Sequence, residues 1–268
     1  MFPFAPQGTQ PLPTSPMFLF FERHVLCKRT KEGVRVPTYE EVISFLPISF
    51  FPLGFHEEEA FFSLPLAGYD KPEVQEPFFY EDILIFRSLP TKESVWLMTA
   101  WHLWSWYRTH RYCGVCAKPL TLMEKERGLQ CTCGNLVFPT IAPAIIVAIT
   151  DGDYLLMAQN ALRAHTPPSL IAGYVEVGEK IEDAVAREVL EEVGLHVTNI
   201  QYVANQPWGY TGCQMFGFHA NADRHAPLCL QENEIASAVW MKREDVSLPG
   251  YPTSVAAHLI GRFAKGEW

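Results

Sequence analysis

The chain has 268 residues, room for two domains of ordinary size at about 150 residues each. It is 48% hydrophobic and 19% charged, a globular balance that excludes an unfolded polar chain. Its 21 basic and 30 acidic residues leave a net charge of −9, which excludes a global electrostatic pull on nucleic acid or anionic membrane. Any phosphate site must therefore draw positive charge from local groups or bound cations.

The N-terminal MFPFAPQGTQPLPTSP has no basic segment leading into an apolar core, so it does not read as a secretory signal. Its prolines predict an irregular lead-in. The run from Val42 to Phe55 is interrupted by Pro47 and Pro52, and no apolar stretch reaches the ~20 residues of a membrane helix. The expected location is the cytoplasm, with no membrane partner. Residues 1–90 are rich in Pro and Phe. The short runs Met17–Phe21 and Ile83–Phe86 predict strands of a small sheet that buries aromatics. Residues 93–108 lack Gly and Pro and are apolar at helical spacing, predicting a buried or interface helix. Its Trp96, Trp101, Trp104 and Trp106 suit a core or a dimer contact better than a ligand box.

Four of the seven cysteines follow within 21 positions: Cys113, Cys116, Cys131 and Cys133. In a reducing compartment such clustering reads as metal binding rather than disulfides. A C-x-x-C turn sets two thiolates a tetrahedral edge apart, and the C-x-C pair supplies two more. Four thiolates close a structural Zn²⁺ site with no position for water. The bland alternative is four reduced, buried thiols. Cys27, Cys213 and Cys229 are isolated and read as packing residues.

Beyond the cluster, Ile141–Thr150 predicts a buried strand, Asp151-Gly152-Asp153 a turn and Tyr154–Ala158 the returning strand. Gly178 and Gly194 bracket a charged helix. Ile200–Ala204, Gln214–Ala220 and Ala236–Met241 predict strands, and Val255–Lys265 a closing helix. This mixture predicts an α+β domain. On the charged helix, Glu188 meets Glu191 at i+3 and Glu192 at i+4, so three carboxylates share a face. Ile181, Val185 and Val189 pin another face to a core. Like charges so placed repel unless cations sit among them, and an oxygen-rich cradle suits Mg²⁺ or Mn²⁺. A solvated acidic face is the ordinary alternative.

The pattern around that helix decides between them. Gly173, Glu179, Arg187, Glu188, Glu191, Glu192 and Gly194 fall at G-x5-E-x7-R-E-x-x-E-E-x-G, which resembles the Nudix hydrolase box. The resemblance implies a Nudix α/β/α sandwich and metal-dependent hydrolysis of a nucleoside-linked diphosphate. It implies Glu188, Glu191, Glu192 and the Ala172 carbonyl as metal ligands, with Glu191 and Glu192 catalytic and Glu192 the residue that activates or orients water. Arg187 is expected to pair with Glu191 or to orient Glu179, and Gly173 and Gly194 to permit turns. Glu234, six residues before Trp240, resembles a later metal ligand, with Glu232 its competitor.

The chain is also similar to the NADH pyrophosphatases, which set a zinc ribbon before a Nudix domain and carry S-Q-P-W-P-F-P-x-S after the box. Here that stretch is Asn205-Gln206-Pro207-Trp208-Gly209-Tyr210-Thr211-Gly212-Cys213: Q-P-W is intact, Gly209 stands for a proline and Tyr210 for the phenylalanine. The stretches HRYCG at 110–114, FPTIAP at 138–143 and IAGYVEVGE at 171–179 also look like this family. The likeness implies Phe138 and Tyr174 as aromatic contacts of a nucleotide base, Gln206, Pro207, Trp208, Gly209, Tyr210, Thr211, Gly212 and Cys213 as pocket lining, and Glu126 and Ala256 as further contacts. Arg87 is a loose N-terminal match. The implied organisation is a β-rich domain over 1–108 ending in the aromatic helix, a zinc ribbon over 109–139 and a Nudix domain over 140–268. The implied reaction is cleavage of NAD(H) to NMN(H) and AMP, extending to NAD caps on RNA 5′ ends, by a homodimer. A broader dinucleotide or ADP-sugar pyrophosphatase is the enzymatic alternative, and a zinc-ribbon binding protein with an inactive Nudix fold the non-enzymatic one.

Overall fold

The computed structural model of the protein describes residues 10–44, 50–53, 60–63, 71–89, 91–163, 166–248, 251 and 254–268. Most of the proline-rich lead-in, Pro47, Phe55 and Thr253 lie outside these. The chain divides into two units, Met1–Thr140 with Gly209–Thr211, and Ile141–Trp208 with Gly212–Trp268.

In the first unit the Met17–Phe21 run is two strands. β1 (Met17–Phe18) and β2 (Phe20–Phe21) part at Leu19 and join different sheets. β2 pairs with β3 (His24–Thr30), which also pairs with β4 (Gly33–Arg35) and with β7 (Phe78–Asp82). β1 lies parallel to β6 (Phe61–Ser63), and β6 is antiparallel to β5 (Phe50–Pro52). Met17, Leu19, Leu26, Val42 and Phe61 form the core of this region. The short helix α1 (Tyr39–Val42) is held by Glu41, whose carboxylate accepts from the Thr38 backbone N–H at 2.8 Å, from both Arg35 Nη atoms at 2.9 and 2.7 Å, and from Lys28 Nζ.

The strand expected at Ile83–Phe86 is instead a 3₁₀ helix over Ile83–Ser88. Asp82 ends β7, and its carboxylate accepts from the Leu84 N–H at 2.8 Å. That local bond turns the backbone out of the ladder, which outweighs the β preference of an apolar run. The aromatic helix is α2 (Thr91–Thr109). Trp96, Trp104 and Trp106 are buried within the chain itself. The cysteine segment carries three two-residue strands, β8 (Thr121–Leu122), β9 (Leu129–Gln130) and β10 (Leu136–Val137), in the order β10-β9-β8.

The second unit has the expected strands in the expected order, most of them longer, and one strand that was not expected, at Ile171–Tyr174. They are β11 (Ala142–Asp151), β12 (Tyr154–Asn160), β13 (Ile171–Tyr174), β14 (Thr198–Trp208), β15 (Cys213–Asn221) and β16 (Ile235–Lys242). The sheet runs β14-β15-β11-β12-β16, with β13 also on β11. β11 is parallel to β15 and antiparallel to β12 and β13. Side chains alternate across a strand. Accordingly Ile145, Val147 and Ile149 pack with Val185, Val189 and Val193 of α3 (Ile181–Val193) on one face. Ile146 and Ala148 pack with Leu259, Ile260 and Phe263 of α4 (Val255–Ala264) on the other. A helix on each face of one mixed sheet is the α/β/α arrangement.

Glu41 offers a check on the first unit. Its carboxyl sits well below the ordinary range because Arg35, then Lys28 and the Thr38 N–H, bond the charged form. A depressed carboxylate stabilises the fold above its unfolded pKa of ~4.3 and loses that contribution as pH falls through the folded value. Glu41→Gln should cost about 1–3 kcal/mol in urea titrations near pH 7. The difference from the parent should shrink steadily below about pH 4.

Candidate active site

α3 is built to carry acid. Glu182 and Asp183 occupy its first turn, where the helix dipole favours negative charge. Gly194 closes it in the left-handed region at φ 74°, and its N–H returns to the Leu190 carbonyl at 3.0 Å. A Cβ on Gly194 would lie 2.7 Å from that of Cys229, so glycine is required twice over. The acidic face is less open than spacing alone implies. Glu188 and Glu192 are buried, at 9% and 5% exposure, and only Glu191 stands clear. The carboxylates lie along the flank of the buried stripe because i+3 and i+4 steps from Val185 and Val189 carry the chain to its edge.

Arg187 organises this flank. Its Nε and Nη2 donate to Glu179 at 2.8 and 3.0 Å, its Nη1 to Glu188 and Glu191 at 2.9 Å each, and its Nη2 to the Tyr174 carbonyl at 2.9 Å. Both roles read from the sequence are therefore present, with two more. The Arg187 contact holds the Glu179 carboxyl down at about 2, and Glu179 in turn accepts from the Glu176 N–H. Gly173 serves a purpose other than a turn. It lies within β13, and a Cβ there would fall 2.0 Å from Glu188 Cδ. The glycine is the space into which the Glu188 carboxylate fits.

Glu192 faces acids. Burial first, then Glu188, Glu234 and Glu191, push its carboxyl up to about 8. Burial likewise raises Glu188, against Arg187. Glu234 reaches this group because backbone bonds from Cys229 N to Val193 O and from Gln231 N to Glu192 O, both 3.0 Å, tie the segment before β16 to the last turn of α3. The Gln231 amide donates to Glu234 at 3.3 Å. Glu234, with Glu191, is an acid whose charge raises Glu188 and Glu192. Carboxylates raised by burial and by neighbouring acids are an all-oxygen donor set, which fits a hard divalent cation. Their oxygens are not gathered into a three-donor cluster, since Glu188 and Glu191 are turned to Arg187.

Among the described residues the convergent set is sulfur. The Sγ atoms of Cys113, Cys116, Cys131 and Cys133 lie within 4.8 Å of one another. Each knuckle closes on a left-handed residue, Ala117 at φ 59° and Gly134 at φ 91°, whose N–H returns to the carbonyl of Cys113 or Cys131. The tight C-x-C pair thus brings Cys131 into the group. N–H donation from Val115 at 3.4 Å, with the Asn135 amide at 3.4 Å, holds the Cys113 thiol down at about 6.

The remaining expected contacts are spread. Ala172 sits on β13 opposite Ile146. Tyr174 is exposed, and its hydroxyl accepts from Cys213 Sγ at 3.5 Å. Gln206 has a structural partner that spacing did not reveal: its Oε1 accepts from the Val255 N–H at 2.7 Å, at the start of α4, where Ala256 packs into the second core. Pro207 and Trp208 end β14 opposite Gln214 and Cys213, and the Trp208 ring lies 6.0 Å from that of Tyr251. Gly212, at φ 75°, accepts from the Ala142 N–H at 3.0 Å. Gly209, Tyr210 and Thr211 belong to the first unit, as do exposed Glu126 and Phe138. Arg87 lies over the Phe86 ring.

Residues 140–260 match the sequence model of the NUDIX domain. They are a NUDIX domain. The NAD-capped RNA hydrolase NudC of Klebsiella pneumoniae subsp. pneumoniae is 40% identical over 156 residues, 58% of this chain and 60% of its own length. The protein of that name from Citrobacter koseri is 39% identical over 155 residues, with the same shares. The match therefore spans less than two thirds of these relatives. A NUDIX hydrolase structure from Nitrosomonas europaea superposes loosely, at 15% identity and a TM-score of 0.46 over 58% of this chain and 90% of that one.

The Nudix helix yields a direct test of the Gly173 cradle. In Gly173→Ala the new methyl meets the end of a flexible side chain, so the fold should survive while Glu188 is displaced. Calorimetric titration should then show Mn²⁺ affinity at least ~10-fold weaker, about 1.4 kcal/mol, with the thermal midpoint nearly unchanged.

Proposed function

We propose that this chain hydrolyses the diphosphate of NAD(H), giving NMN(H) and AMP, and acts likewise on NAD at RNA 5′ ends. The observation that carries the reading is the acidic group of Glu188, Glu191, Glu192 and Glu234 beside the Arg187 hub. The names of the two enterobacterial relatives support the substrate. The catalytic cation is Mg²⁺ or Mn²⁺, held by Glu188, Glu191, Glu192, Glu234 and the Ala172 carbonyl. Bound there, it supplies neutralising charge to the diphosphate and acidifies water. Glu192, a buried carboxylate at the end of this acidic group, is the side chain placed to accept the proton of the attacking water. That water forms a new P–O bond as the bridging P–O bond breaks, and the leaving phosphate departs with its mononucleotide. Arg187 keeps Glu188 and Glu191 oriented through this exchange. Tyr174 and Phe138 supply aromatic faces for a base, and Gln206 to Cys213, with Glu126 and Ala256, complete the nucleotide contacts.

The four cysteines hold Zn²⁺ as a structural ion. The domain division is 1–108, 109–139 and 140–268, the working form a homodimer, and the compartment the cytoplasm. No helix among the described residues is long and apolar enough to cross a membrane. The altered flanks of the post-box stretch favour one alternative, a broader dinucleotide or ADP-sugar pyrophosphatase. Asn205 is bonded to Tyr202 and Gln214.

Product analysis with NADH, NAD⁺, ADP-ribose, a dinucleoside polyphosphate and NAD-capped RNA, side by side with Mn²⁺, separates these readings. Preference for NADH or the capped RNA supports the proposal, and equal turnover of all five favours the broad enzyme. Glu192→Gln should lower kcat by ~10²-fold or more with the fold intact. Near-parent turnover would remove Glu192 from catalysis. Cys113→Ser should lose zinc and lower the thermal midpoint, whereas absence of zinc from the purified parent protein would dismiss the ribbon.

A further inference from the structure

Residues 1–90 and the aromatic helix that follows them carry no chemical motif, yet they meet the post-box stretch at two of the positions where it departs from the family's pattern. Tyr210 stands where that pattern has phenylalanine, and its extra hydroxyl accepts a hydrogen bond from Arg23 Nη2 at 2.9 Å. Arg23 is itself aimed by Asp82, through Nε at 2.8 Å. The other Asp82 oxygen caps the 3₁₀ helix that carries Phe86, whose ring lies 6.1 Å from that of Tyr210. The Tyr210 carbonyl accepts from the indole N–H of Trp101 at 3.3 Å. The ring closes a crevice against Ile83, Leu97 and Met98 that has no room for a water. Gly209 stands where the pattern has proline. A Cβ there would lie 2.2 Å from the Met98 carbonyl oxygen, which is backbone of α2 and cannot move aside. Hydroxyl and missing Cβ are thus both matched by partners in the first unit.

We propose that Arg23 and Asp82 are positioning residues for the nucleotide: they latch Tyr210, and through it the Gly209–Thr211 loop, into one conformation, so that this loop is preformed for dinucleotide selection. The guanidinium bridges a carboxylate and a phenol in fixed directions, a geometry that a lysine ammonium does not reproduce. This inference rests on the NAD(H) reading for its consequence and on the latch geometry for its existence, and two measurements separate them.

The first is hydrogen–deuterium exchange of the amides of 206–213 in the full chain, without substrate. Arg23→Ala and Tyr210→Phe should each speed exchange there by about threefold to tenfold, the range of one modest hydrogen bond. The double variant should exceed neither single one, because both remove the same bond. Unchanged exchange, or additive effects, overturns the latch. The second is steady-state hydrolysis of NADH by Arg23→Ala, Arg23→Lys and Asp82→Asn. KM should rise about threefold to tenfold with kcat within about twofold, and lysine should fail to rescue alanine. If exchange rises while KM for NADH stays at the parent value, the role in selection is overturned. If the parent does not hydrolyse NADH, the functional reading fails, and exchange still decides the latch.

Discussion

The candidate site depends on one side chain, the Arg187 guanidinium. It spends its donors on Glu179, Glu188, Glu191 and the Tyr174 carbonyl, and so joins three parts of the chain: the end of β13, the turn before α3 and the helix itself. Glu188 is buried, and an uncompensated buried carboxylate costs several kcal/mol, so this contact lets the helix keep it there. The Glu191 arm is half exposed and contributes little on its own. Arginine suits the position because its rigid fork serves several acceptors at once, which a lysine ammonium does with less directional control.

What Arg187 leaves out matters as much. Glu192 lies one turn on, among Glu188, Glu191 and Glu234, and these acids raise it together with burial. One end of the acidic flank is therefore neutralised by the protein's own cation, while the other holds an unfavourable concentration of carboxylates. To take up a diphosphate, a protein of net charge −9 would need positive charge from outside, and this end of α3 is where the field favours it. The fold secures the arrangement cheaply. β11 alternates its side chains between α3 and α4, glycine at 173 admits the Glu188 carboxylate, and glycine at 194 admits Cys229.

Much of this was readable in advance where local pattern decides structure. The strands of the second unit other than β13, both of its helices and α2 follow from period and from bracketing glycines, and the cysteine cluster follows from spacing. Long-range contacts were not readable. Nothing in the spacing of Gly173 says that a side chain fifteen residues on will occupy its missing Cβ. Nothing in the spacing around Gln206 says that its amide oxygen receives the first N–H of α4. The spacing to Trp240 singles out Glu234 over Glu232, but the backbone ties that carry it to α3 are not in that spacing. The 3₁₀ helix at Ile83–Ser88 escaped because Asp82 reads as an ordinary polar strand end until its bond to Leu84 is known. The first unit was the least legible part, since its short strands of Phe and Pro pair across long separations.

The central claim is that the acidic flank of α3, arranged by Arg187, is the seat of the divalent cation. An anomalous difference map from a Mn²⁺-loaded crystal tests it most directly. The account predicts peaks bounded by the carboxylates of Glu188, Glu192 and Glu234, with the Cys113–Cys133 cluster free of manganese. Manganese density confined to other surfaces, with these carboxylates unligated, would contradict it.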